Sequence, residues 1–543
     1  MKEQSTGKSF IALSFAGVMV KIMSLIYVPI IIRILGDEGY GIYLVSYDIF
    51  SLIYVITNSG MQIAIAKQIA EFVALNQQQN VIKTFQVGKR ILFLIGLISS
   101  VILFLSAKWA SKIVGSERAY LGIMFLSPTI FFTSILAAYR GFFQGISNMT
   151  PIALSQILEQ VFNIFTSVWC AAFLVKYNLE LGAAGGTVGT TLGALIAIIF
   201  LWCVILKRKK EYAMDFFTPY LTPNMEKQDT VSVKQIISTF FKYGTPVILT
   251  SGIQYVGAVI DLALVKNRLL FAGFDSGTSD ILYGLLGKYK TLVYVPLALI
   301  AALSAAVIPS IVKSVVLKNN EELFIKIKFA LKVSFLISVP SFVGLAVLSK
   351  PIYSILFSEK YSSGYILMIY GSSLVVFMAI VQIQTTILQG LNKFYSVFVS
   401  LCVGVVIKLV SNYVFIGIKF MNINGAVIGS ILGFLIPMII NSFLIKKYVG
   451  FKSEFFKNSF KPLISSLCMG VCVIFSYSIL KFVFDKFSFG LVLYFSFGIS
   501  ILIGIFVYFI LIIFFKYLNK DDLSFMPSSL VNRIPEKIKS RFF

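Results

Sequence analysis

The sequence contains no histidine. That removes the side chain most often used at neutral pH as a general acid–base group and metal ligand. Charge is scarce as well. Asp, Glu, Lys and Arg make up 13% of 543 residues, against roughly 25% in soluble domains. A chain with so little charge cannot cover its own surface, so lipid must. Cysteine is limited to Cys170, Cys203, Cys402, Cys468 and Cys472, all inside apolar runs and none in a CxxC spacing. They read as buried hydrophobes, not as disulfide partners or metal ligands. No GxxxxGK[ST] loop is present, which argues against an ATP-driven pump, and no GxSxG, HExxH or paired Cys–His constellation appears. Neither a cofactor nor a metal site is expected.

What is present in excess is apolar. Hydrophobic residues account for 58% of the chain, and mean hydropathy is +0.90. Fourteen apolar segments reach spanning length: 9–34, 40–66, 88–111, 119–143, 154–175, 182–206, 235–263, 281–308, 325–348, 362–388, 394–417, 424–445, 462–480 and 488–515. About 20 residues of helix cross about 30 Å of hydrocarbon. These segments must be helices, because lipid offers no partner to an open backbone. The first is not a cleaved signal: it is too long, carries Lys21 at its centre and lacks a small-x-small exit.

The net charge of +24 sits mainly between apolar segments, so anionic phospholipid headgroups, and not nucleic acid, are the expected electrostatic partner. With the N-terminus inside, Lys207-Arg208-Lys209-Lys210, Lys446-Lys447 and the tail residues Lys537, Lys539 and Arg541 fall on the cytoplasmic side. That asymmetry places both termini in the cytoplasm of a plasma-membrane protein. No external loop is long enough to fold alone, which disfavours a membrane glycosyltransferase or polymerase.

The chain also repeats itself. GGTVGTTLG (185–193) matches NGAVIGSILG (424–433), RGFFQGISN (140–148) matches ILQGLNK (387–393), and YGIY (40–43) matches YGLL (283–286). Near-constant offsets argue for a duplicated six-helix unit. The expected fold class is an all-α polytopic membrane protein of about fourteen transmembrane helices, with two pseudo-symmetric six-helix lobes plus a C-terminal helix pair. The expected divisions are an N-lobe (1–206), a basic cytoplasmic linker (207–234), a C-lobe (235–447), the last helix pair (448–516) and a cytoplasmic tail (517–543). The glycine runs read as close helix packing.

Charges inside the spans mark candidate function. Lys21 lies about 18 Å of helix from either end of its segment. Its side chain reaches about 6 Å, so it cannot snorkel to water. Lys288 and Lys290 sit about two turns into the eighth segment, and Lys408 lies deep in the eleventh. These four lysines are the candidate cationic substrate site. Asp48 shares the depth of Lys288 and could neutralise one lysine. Glu159 sits amid Gln156, Gln160 and Asn163, and Asp261 lies close to Lys266 and Arg268. Asp48, Glu159 and Asp261 are candidate coupling groups or charge partners. The balance of deep charge is cationic, which suits an anion, and lysine binds phosphate as a point charge.

Three stretches carry a family resemblance. VKIMSLIYVPIIIRILGDEGYGIY (20–43), AYRGFFQGISNMTPIALSQILEQ (138–160) and YGLLGKYKTLVYVPLALIAALSAAVIPSI (283–311) resemble the polysaccharide-exporter branch of the multidrug/oligosaccharidyl-lipid/polysaccharide superfamily. The likeness is closest to Gram-positive flippases of the stage V sporulation protein B type and covers the first twelve segments. It implies alternating access and translocation of undecaprenyl-diphosphate-linked sugars by a transporter that is not an enzyme. It also places a basic residue where Lys21 stands, although Met23-Ser24 replaces the usual Leu-Gly. A monomer is expected, and the energy source stays open among membrane potential, Na+ and H+. The alternatives are a drug/cation antiporter of the same superfamily, which would want buried carboxylates, and an envelope polysaccharide polymerase, which would want a large external loop.

Overall fold

In the computed structural model, residues 6–207, 231–316, 319–357, 364–451, 455–486 and 492–517 are described. Most of the linker at 207–234 and all but the first residue of the tail at 517–543 lie outside them. Among the described residues the chain is helical throughout, with no strand. The elements are α1 (Thr6–Tyr54), α2 (Gly60–Ala74), α3 (Gln78–Ile113), α4 (Tyr120–Gly145), α5 (Met149–Leu174), α6 (Leu179–Lys207), α7 (Val233–Phe271) and α8 (Ser276–Val316). They continue as α9 (Asn320–Val347), α10 (Ser349–Phe357), α11 (Tyr365–Gly371), α12 (Leu374–Gly390), α13 (Phe394–Ile416), α14 (Asn424–Val449), α15 (Phe455–Lys486) and α16 (Val492–Phe514).

Among the described residues eleven helices are long and apolar enough to cross a membrane, or twelve if α11 and α12, bent by 47°, form one span. The first of these runs 59 residues, Phe15–Val73. At 1.5 Å per residue that is about 88 Å, enough for two crossings of hydrocarbon. The break lies at Gly36, whose φ of 70° is left-handed and favours a residue without Cβ. A π-turn at Val55–Ser59 then joins α1 to α2. The 39-residue α7 covers the apolar segment 235–263. Counting α1–α2 as two crossings and adding α7 and the bent pair gives the fourteen helices that the hydropathy pattern predicts.

Local sequence sets the helix ends. Ser232 and Gln235 form a capping box: Ser232 Oγ accepts from the Gln235 amide at 3.2 Å, and Gln235 Oε1 accepts from the Ser232 amide at 3.1 Å. Asn319 caps α9 by accepting from the Glu322 amide at 3.1 Å, with Glu321 and Glu322 in the first turn. Gly450, at φ 77°, closes α14.

The helices gather into two compact units. One comprises Met1–Gly284 with Ile416–Phe420, the other Leu285–Phe415 with Met421–Phe543. In the first, Phe85, Tyr139, Phe142, Phe143 and Phe240 belong to one buried apolar cluster to which α2 through α7 all contribute. The glycines of α6 press against α5, where a Cβ on Gly193 would stand 2.5 Å from the Glu159 carbonyl. In the second unit the matching run on α14 presses against α13, with Gly433 against Lys408 and Gly404. The last pair, α15 and α16, docks on α9, and Tyr508 donates to the Leu336 carbonyl at 2.9 Å.

Within the first unit the repeat also shows as a reciprocal crossing. Gly41 lies against the Asp280 carbonyl, and a Cβ on Gly284 would stand 2.6 Å from the Asp37 carbonyl. Gly41 and Gly284 are repeat partners, and Asp37 and Asp280 share their 243-residue spacing. Equivalent residues exchanging equivalent contacts is what a local two-fold produces.

All five cysteines are free. The expectation of burial is corrected: Cys203 and Cys468 are exposed and the others half-exposed. An apolar helix face serves a thiol in lipid as well as a core does.

Candidate functional site

The first unit carries a ladder of polar contacts through its spans. Tyr27 Oη donates to the Gly186 carbonyl at 3.1 Å and meets Tyr43 Oη at 3.2 Å. Tyr47 pairs with Thr190. Asn58 donates to Thr133 at 3.1 Å, and Gln62 to Gln144 at 3.2 Å. Without water, such groups must satisfy one another. Rings of Tyr43, Tyr47, Phe50 and Tyr54 follow one another along α1 at 4.6–6.1 Å between centroids.

The candidate lysines divide by exposure. Lys21 is exposed on α1 and makes no hydrogen bond or ion pair with the described residues. Lys288 is 0% exposed, with its ammonium 5.2 Å from the centre of the Phe357 ring. Lys408 is 7% exposed and sits at the α13–α14 crossing against Gly433. Lys290 is half-buried.

The acidic candidates have protein partners. Glu159 takes an ion pair from Arg140 at 2.6 Å, and Arg140 also donates to Ser155 at 3.2 Å. Glu159 therefore does not offset Lys21. Asp48 accepts from Tyr283 at 2.5 Å. Asp261 is fully buried and within electrostatic reach of the same tyrosine. Lys266, near Asp261 in sequence, pairs instead with Asp280, and both are 0% exposed.

The polar network at one end of the first unit carries charges that the candidate set does not include. Arg118 bridges Glu38 at 2.5 Å and Glu180 at 3.1 Å, tying the α1 bend and the start of α6 to the turn before α4. Asp280 lies within electrostatic reach of Arg118 and Glu38. Asn267 donates to the Ile113 carbonyl at 3.1 Å. At the other end of α7, Tyr243 donates to Glu71 at 3.1 Å, beneath Lys67 at 3.7 Å from its ring centre. Hence α7 is fastened to the first unit near both of its ends. Among the described residues no cluster of His, Cys, Asp and Glu could hold a metal ion.

Fold, hydropathy and intramembrane polar groups together define a polytopic, all-helical membrane protein, and its fold is shared with solved transporters. It superposes on a structure titled "Lipid II flippase MurJ, inward closed conformation" with a TM-score of 0.68 at 19% identity, covering 93% of this chain and 99% of that one. It also superposes on an inward-facing multidrug resistance MATE family transporter with a TM-score of 0.63 at 14% identity, covering 80% and 98%. The chain belongs to the polysaccharide biosynthesis protein family, whose model matches residues 6–315. Among curated proteins it is similar to Lipid II flippase MurJ of Bacillus subtilis, 24% identical over 83% of this chain and 85% of that one. Stage V sporulation protein B of Bacillus subtilis is 24% identical over 97% of this chain and 98% of its own. The superfamily and flippase-branch resemblance read from the sequence is thereby borne out.

Proposed function

We propose that this protein is a flippase that carries an undecaprenyl-diphosphate-linked oligosaccharide or peptidoglycan precursor across the plasma membrane by alternating access. Lys21 carries the reading: an exposed ammonium in mid-span, with no protein partner among the described residues, needs an anion. The carboxylates that a cation antiporter would use are engaged, Glu159 by Arg140 and Asp48 by Tyr283. The names of the two Bacillus subtilis relatives, one a lipid II flippase, support the substrate class. The protein does no covalent chemistry, works as a monomer with both termini in the cytoplasm, and holds anionic phospholipid at its basic linker and tail. Residues 1–206 and 235–447 act as the two moving lobes, with 448–516 as an added pair.

Native mass spectrometry of nanodiscs tests this. The ligands are an undecaprenyl-diphosphate oligosaccharide, lipid II, plain phospholipid and a cationic drug. Preference for a polyprenyl diphosphate, weakened by Lys21→Ala, is expected. Preference for the drug, untouched by that change, would instead indicate an antiporter.

A further inference from the structure

Where α1 meets α5, the two helices run the same way. Gln160 Nε2 donates to Ser24 Oγ at 3.2 Å. Farther along both, Tyr27 of α1 donates to the Gly186 carbonyl, and the neighbouring Gly185 packs on the Cys170 carbonyl of α5. Residue numbers rise together, so the helices are parallel. One turn back from the Ser24–Gln160 contact stand Lys21 on α1 and Gln156 on α5. The steps are three and four residues, about 4.5 and 6 Å of rise, so the two side chains share a level. Residues three or four apart share a helix face.

Four other polar residues of α5 are engaged elsewhere. Ser155 and Glu159 turn to Arg140. Asn163 Oδ1 accepts from Ser167 at 3.1 Å and from Thr190 at 3.4 Å. Ser24 gives its own proton to the Val20 carbonyl at 2.9 Å. Gln160 therefore keeps its Oε1 and one N–H. Gln156, half-buried in the span, has no hydrogen bond to any described residue. A primary amide without a partner is costly at membrane depth, so two amides left open beside an exposed lysine point to a polar ligand.

We infer that Gln156 and Gln160 read the sugar attached next to the diphosphate, while Lys21 holds the phosphate charge. An amide offers both donors and an acceptor, the complement of a sugar hydroxyl or acetamido group. The ammonium supplies charge without shape, so discrimination among headgroups falls to the glutamines. A site built to hydrogen-bond a group selects against ligands that lack it. This inference rests on the flippase reading.

The test compares undecaprenyl diphosphate with the same lipid bearing one N-acetylated sugar, by native mass spectrometry in nanodiscs. The wild-type protein prefers the sugar-bearing lipid. Gln156→Leu, which leaves the Ser24 contact alone, lowers that preference about tenfold, as the loss of one good hydrogen bond does. The double variant Gln156→Leu/Gln160→Leu lowers it further. Lys21→Ala weakens both lipids alike and leaves their ratio unchanged. If both glutamine variants keep the wild-type ratio while Lys21→Ala weakens both lipids, the inference is wrong and the flippase reading stands. If the wild-type protein holds neither lipid above phospholipid, the flippase reading falls and takes the inference with it.

Discussion

Replacing Asp280 by Asn isolates the energetics of a fully buried ion pair in the first unit. Lys266 and Asp280 are both 0% exposed. Two charges taken out of water are costly, and mutual attraction repays that cost only while both are present. Asp280→Asn leaves the Lys266 ammonium buried beside Arg118, with its compensating charge gone. Breaking a buried pair from one side costs about 3–5 kcal/mol. Lys266→Met/Asp280→Leu removes both charges and keeps the volume, a change between neutral and about 1–4 kcal/mol stabilising. Arg118 keeps Glu38 and Glu180 in the double variant, so no second charge is stranded. Thermal unfolding in nanodiscs should rank the double variant at or above wild type and Asp280→Asn well below. Unfolding of Asp280→Asn within about 0.5 kcal/mol of wild type, the range of an ordinary surface change, would rule this out. A double variant less stable than Asp280→Asn would do the same.

Three further outcomes follow from the geometry. Gly41→Val and Gly284→Val each force a side chain into a carbonyl of the facing segment, so both should sharply reduce folded, detergent-soluble protein; normal yield of either would remove the close crossing. Arg140→Ala strips Glu159 and Ser155 of a shared donor and should cost about 1–3 kcal/mol, with Glu159→Gln giving back part of the loss in the double variant, measured by thermal unfolding. Lys288→Ala and Lys408→Ala should each lower the unfolding temperature, because both side chains are enclosed, while Lys21→Ala stays within about 0.5 kcal/mol of wild type. Equal stability losses at all three positions would contradict the division by exposure.

Hydropathy made the spans legible, because about 20 apolar residues must cross lipid whatever they pack against. The bend at Gly36 was legible as well, since it falls in the gap between the apolar segments 9–34 and 40–66. Chain neighbours misled where helices face each other. Asp261 reads as a partner of Lys266, but five residues turn a helix by about 140°, so the two point to different sides. Lys266 instead meets Asp280 across the α7–α8 turn, each about seven residues from Gly273. Arg140 meets Ser155 across the α4–α5 turn in the same way. Counting outward from a tight turn would have found both pairs. The depth of Lys408 was clear, but not that α14 covers it, nor that Gln160 touches α1. Both depend on which helices are neighbours, and no local pattern records that.

On the proposed function, a lipid-linked sugar moves between leaflets under the control of Lys21. Proteoliposomes containing a fluorescent lipid II analogue test it directly, with a membrane-impermeant quencher reporting how much analogue changes leaflet. Transfer well above that in protein-free vesicles is expected, and loss of that transfer in Lys21→Ala reconstituted to the same amount. Transfer no faster than in protein-free vesicles, or equal transfer by wild type and Lys21→Ala, would contradict it.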